Sequence, residues 1–240
     1  MAESLWRDLL GQLLWALVAI GGAVILPGRS IGERLGLGRG RLGRARLALA
    51  LAGFLALSNG VHRAIVGLEL LDDTTLAEID RVVREASPSE PALVLLAIGL
   101  APALGEELLF RGFLLRWLAT RTSGPAAVLG SAALFGALHL DPVHGVAAFL
   151  LGAYLGALAW HAGSVRGPMV CHAVNNTLAV LGTQGLVPEL GDAADPWLAG
   201  LALALAAGCL AVALGLLQPR APSADPEGAD EDHSSGIDRR

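Results

Sequence analysis

The chain has 240 residues, of which 54% are hydrophobic and only 16% charged, with a mean hydropathy of +0.58. A soluble domain carries ~25% charge, so this much aliphatic surface excludes a water-soluble body and points to a polytopic helical membrane protein. Two cysteines, both in apolar stretches, exclude a disulfide scaffold or a cysteine-built zinc site, and a net charge of −5 excludes a nucleic-acid-binding footprint. All 17 basic residues are Arg, which reads as the coding bias of a GC-rich genome, and so as a bacterial cytoplasmic-membrane protein.

The fold class expected is all-α, a transmembrane bundle of about seven spans (six to eight), since a spanning helix needs ~20 apolar residues. In chain order the spans are Leu9–Leu26, Leu47–Leu68, Pro91–Trp117, Pro125–Leu140, Val143–Trp160, Gly167–Gly182 and Pro196–Leu217. Residues 1–217 then form one transmembrane domain, and 218–240, rich in Pro, Ser, Gly and acid, a disordered tail. Met1–Asp8 sets Arg7 against Glu3 and Asp8. That is unlike the positive start of a signal peptide, so the first apolar run reads as a retained span.

Loop charge sets an expected orientation. Between spans one and two lie Arg29, Arg34, Arg39, Arg41, Arg44 and Arg46 against the single Glu33, whereas 72–90 holds six acids against Arg81 and Arg84. The positive-inside rule puts the Arg-rich loop and the C-terminus in the cytoplasm and the N-terminus outside. Asp72–Ala86 reads as an amphipathic surface helix with Thr75 and Glu78 as its capping box. Gly152 and Gly156 form a small-xxx-small pair for close helix packing.

Charge is costly inside a membrane, ~2.5–3.5 kcal/mol at a helix centre, so the polar residues within spans carry the information. In span three, Glu107 and Arg111 are four apart with the acid on the N-terminal side, the favoured order for an ion pair on one face. Glu106 lies ~140° from Arg111 around the helix. One carboxylate is therefore compensated and the other left for a different task, catalytic or simply bonding a neighbouring helix. Phe135 and His139 share a face at the end of span four, and His172 and Asn176 share one early in span six. His144, after Asp141-Pro142, reads as a supporting residue.

Taken in order, E-E-x-x-x-R, F-x-x-x-H and H-x-x-x-N on successive apolar segments resemble the CPBP family, the CAAX proteases and bacteriocin-processing enzymes also called Abi. Phe110-Arg111-Gly112-Phe113 and Gly163-Ser164-Val165-Arg166-Gly167-Pro168 agree with the resemblance, which covers a core of about 91–182. It implies an intramembrane endopeptidase acting on membrane-embedded or lipidated peptides. By the same resemblance Glu106 is the base that activates water with His139, and His172 and Asn176 steady the oxyanion. Glu107 and Arg111 are the supporting pair, with Phe135 walling the site. No cofactor is required by the preferred metal-free mechanism; the alternative is a zinc ion held by Glu106, His139 and His172. The partners expected are membrane lipid and a peptide or membrane-protein substrate, with no nucleic acid. The rival functions are a proton- or cation-coupled transporter, with the same residues as the ion path, and a non-catalytic bacteriocin-immunity protein. One expectation strains against the others: if span four crosses the membrane fully, His139 and His172 fall at opposite depths.

Overall fold

The computed structural model describes residues 2–86, 91–187 and 195–215. Every long element is helical, and there is no strand among the described residues. The tail expected at 218–240, with His233, lies outside the described residues.

The long helices are α1 (Ala2–Gly22), α3 (Arg44–Gly67), α9 (Pro142–Ala162), α10 (Arg166–Thr183) and α11 (Pro196–Ala213). A single turn, α2 (Ile31–Arg34), interrupts the Arg-rich loop, and α4 (Thr75–Glu85) is the short amphipathic helix. Residues Pro91–Ala119 run as one continuous helix. Its α-helical pieces α5 (Pro91–Val94), α6 (Ala101–Glu107) and α7 (Leu115–Ala119) are joined by π-helical turns at Leu95–Leu100 and Leu108–Leu114. Helix α8 (Gly124–Ala137) follows.

The starts of these helices are written in short polar side chains followed by proline. Ser123 accepts from the Ala126 N–H ahead of α8, Asp141 from His144 ahead of α9, and Asp195 from Trp197 ahead of α11; each helix has Pro in its first two positions. Gly163, at φ +66°, ends α9 in the left-handed conformation that glycine adopts without strain.

The cap of the surface helix falls one residue earlier than its sequence suggests. Thr74, not Thr75, caps α4 by accepting from the Ala77 N–H. The Thr75 N–H instead bonds Asp141 (2.9 Å), and its hydroxyl pairs with His144 Nδ1 (2.7 Å). Thr75 is thus spent on tying α4 to the start of α9, and the cap falls to its neighbour.

Five helices are long and apolar enough to cross a membrane: Leu5–Ile25, Arg44–Gly67, Pro91–Ala119, Pro142–Ala162 and Pro196–Ala213. Their outward faces carry large exposed apolar side chains such as Leu10, Leu13, Leu17, Leu104, Val146 and Leu201, as lipid-facing helices must. The other two expected spans are present as helices but do not carry a count of seven. The 14 residues of α8 reach about 21 Å, against a hydrocarbon core of about 30 Å. In α10, Arg166, His172, Asn175 and Asn176 break the apolar run.

Helix α11 lies along α3, α8 along α9, and α1 against α6 and the second π turn. Gly152 and Gly156 make close contacts within this chain. A Cβ at 152 would stand 2.9 Å from the Phe135 ring and 3.0 Å from Arg111, and one at 156 would meet Val128 at 3.2 Å. That closeness lets α9 seat directly on the polar residues of Pro91–Ala119.

The α4 tether has a pH signature. The Asp141 carboxylate accepts the N–H groups of His144 and Thr75, and these bonds hold its pKa below the ordinary carboxylate value. Folding therefore favours the ionised form: the contribution is in place above the ordinary value and is lost as pH falls through the depressed one. Hydrogen exchange should show the protection factor at Thr75 falling on acidification through that range, and falling at neutral pH in Asp141→Ala. Unchanged protection in Asp141→Ala would contradict the tether.

Candidate active site

The centre of the molecule is an ion pair sealed from solvent. Glu107 is 0% and Arg111 1% exposed, and Arg111 Nη1 donates to Glu107 Oε1 one helical turn away. Arg111 Nη2 also donates to the Gly152 carbonyl (3.2 Å), and its guanidinium lies 4.5 Å over the Phe135 ring. Removing two ions from water is unfavourable by several kcal/mol each, and only dense hydrogen bonding offsets it. Here α9 supplies the carbonyl, and α8 supplies the π face.

His172, on α10, completes this group. Its Nδ1 stands 3.0 Å from Glu107 Oε1 and its Nε2 3.9 Å from Glu106 Oε2. An ionised carboxylate only accepts, so Nδ1 carries the proton and donates to Glu107. The second ring nitrogen then faces Glu106. The adjacent glutamates differ as their helical positions predict: Glu107 is fully enclosed by Arg111 and His172, whereas the Glu106 side chain is 15% exposed. Glu106 Oε1 accepts from Gln12 Nε2 of α1 (3.0 Å). This leaves Oε2 toward His172.

Asn176 is spent differently. Its Nδ2 donates to the Ile98 carbonyl (3.2 Å), and its Oδ1 accepts from Asn175 (3.3 Å). The reason lies four residues beyond Ile98, where Pro102 has no N–H to offer in an α-helical register. The π turn Leu95–Leu100 absorbs the proline and Asn176 satisfies the freed carbonyl. Ser131 Oγ donates to the Phe110 carbonyl (2.8 Å) in the second π turn, where that carbonyl also accepts the Leu115 N–H. The two π turns bracket α6 and its paired glutamates, a placement such turns often have at functional sites.

His139 joins the cluster through rings. Its imidazole meets the Phe135 ring edge-on at 4.8 Å and the His144 ring at 4.3 Å. Its Nδ1 donates to the Phe135 carbonyl (2.8 Å), so a neutral His139 bears its lone pair on Nε2. Phe135 thus touches both Arg111 and His139, which links α8 to the buried pair. His144 stands behind His139, held by Thr75.

Among the described residues no three His, Cys, Asp or Glu side chains are grouped closely enough to hold a metal ion. Glu106, His139 and His172 are not gathered into such a group in this arrangement.

Gln12, bonded to Glu106, and Ser131, bonded to the Phe110 carbonyl, lie outside the three motifs. A lone amide in the apolar run Leu9–Leu26 was the available signal for Gln12, and Pro102 within span three was the signal for the π turns.

Lipid-facing helices around a buried carboxylate, guanidinium and imidazole cluster define an integral membrane protein with a polar core. Residues 88–178 match the model of the family described as Type II CAAX prenyl endopeptidase Rce1-like. The matched segment contains Glu106, Glu107, Arg111, Phe135, His139, His172 and Asn176, and it bears out the resemblance drawn from those residues. The curated proteins and the solved structures give no match.

Proposed function

We propose that this protein is an intramembrane endopeptidase that hydrolyses peptide bonds of membrane-embedded or lipidated peptides, with Glu106 as the general base. The observation that carries this reading is the split between neighbouring carboxylates: Glu107 is fully buried with Arg111 and His172 both on its Oε1, while Glu106 is partly exposed and turns Oε2 to 3.9 Å from His172 Nε2. A water molecule can lie within hydrogen-bonding distance of both atoms.

Glu106 takes a proton from that water as its oxygen attacks the scissile carbonyl carbon. The carbonyl becomes an oxyanion, which needs preorganised donors in a low-dielectric site. His172, its Nδ1 held on Glu107, turns Nε2 toward that point, and as the imidazolium it donates Nε2–H to the oxyanion. Asn176 offers the amide N–H not used by Ile98. His139, with its lone pair on Nε2, assists in orienting water. The proton held by Glu106 passes to the leaving nitrogen as the C–N bond breaks, restoring the carboxylate.

The test is cleavage of a fluorescence-quenched farnesylated CAAX peptide by purified protein in lipid vesicles. Wild type is expected to cleave it and Glu106→Gln not to; equal cleavage by both would end the assignment. Activity is expected to persist after chelator treatment. Loss on chelation, restored by zinc, would replace the metal-free mechanism.

A further inference from the structure

The paired glutamates sit against a helix outside the matched segment, and that helix carries one polar side chain into the site. Gln12, in the middle of α1, donates Nε2–H to Glu106 Oε1 at 3.0 Å. The approach depends on Gly105, the residue before Glu106: a Cβ there would stand 2.5 Å from the Gln12 backbone oxygen and 2.8 Å from Gln12 Oε1. Only a bare α-carbon lets α1 come this close to α6.

The orientation of the amide is set by its partner: an ionised carboxylate only accepts, so the N–H end of Gln12 faces Glu106.

The terminal torsion of a glutamate is broad and weakly determined. A bond to one oxygen therefore fixes the direction of the other. With Gln12 on Oε1, Oε2 is the oxygen directed at His172 Nε2. We infer that Gln12 is a positioning residue for the hydrolytic reaction: it clamps the Glu106 carboxylate so that Oε2 faces the point where water and the scissile carbonyl meet. The inference rests on the reading of Glu106 as the base.

The experiment uses the full chain in vesicles with the farnesylated CAAX peptide, comparing wild type, Glu106→Gln, Gln12→Met and Gln12→Asn. Met keeps the length of the side chain and removes the donor. A hydrogen bond to a charged group is worth roughly 10- to 100-fold in rate when it acts only on the chemical step. Gln12→Met should therefore lose that much kcat with KM within about twofold, since the substrate does not touch Gln12. Gln12→Asn, which retains an amide N–H one methylene short, should fall between Met and wild type. A Gln12→Met protein with wild-type kcat, with a loss confined to KM, or unable to fold would overturn the positioning role. Failure of the underlying reading looks different: wild type would leave the peptide intact, or Glu106→Gln would cleave it as well as wild type.

Discussion

Arg111→Ala and Glu107→Ala should each destabilise the protein by about 3–5 kcal/mol, the cost of leaving a buried ion without its partner. The pair is 0% and 1% exposed, so neither survivor can recover its solvation from water. Arg111→Ala also removes the guanidinium from the Phe135 ring and the Gly152 carbonyl, while Glu107→Ala also strips His172 of the acceptor for its Nδ1. The double variant Glu107→Leu with Arg111→Met should be more stable than either single variant, because no uncompensated charge remains. Thermal unfolding in detergent measures this. Single variants with wild-type midpoints would show that the pair is reached by water and is not the structural centre described here.

The neighbouring carboxylate should fail in the opposite way. Glu106→Gln should lower the rate of peptide cleavage by roughly 10²- to 10⁴-fold, the usual contribution of a general base, while leaving thermal stability near that of wild type. The Glu106 side chain is partly exposed and meets Gln12 and His172 rather than a guanidinium, and a glutamine keeps its shape. Adjacent residues on one helix would then separate activity from stability: position 106 governs rate and position 107 governs folding. A stability loss at 106 as large as that at 107 would mean that both glutamates are scaffold.

Much of this division was legible in the chain because it depends on local helical geometry. Four-residue spacing puts Arg111 over Glu107 and Phe135 beside His139, and both contacts occur. Partners from distant elements were not legible. His172 and Asn176 share a face toward Pro91–Ala119, yet His172 bonds Glu107 and Asn176 the carbonyl of Ile98, because Pro102 unsettles that helix upstream of the glutamates. The Gln12–Glu106 bond joins residues 94 apart, beyond the reach of any periodicity. Span counting was limited for a related reason. Helices α8 and α10 pack on protein and carry polar groups, so length and apolarity describe them poorly.

On the proposed mechanism Glu106 directs water onto a peptide bond within the membrane domain. Its most direct test is mass spectrometry of the farnesylated CAAX peptide after a single turnover in ¹⁸O-labelled water, with wild type and Glu106→Gln in parallel vesicles. Wild type should yield a product carrying one ¹⁸O atom in its new carboxyl group, with no product from Glu106→Gln. Equal product from the two proteins, or a product without the label, would contradict the account.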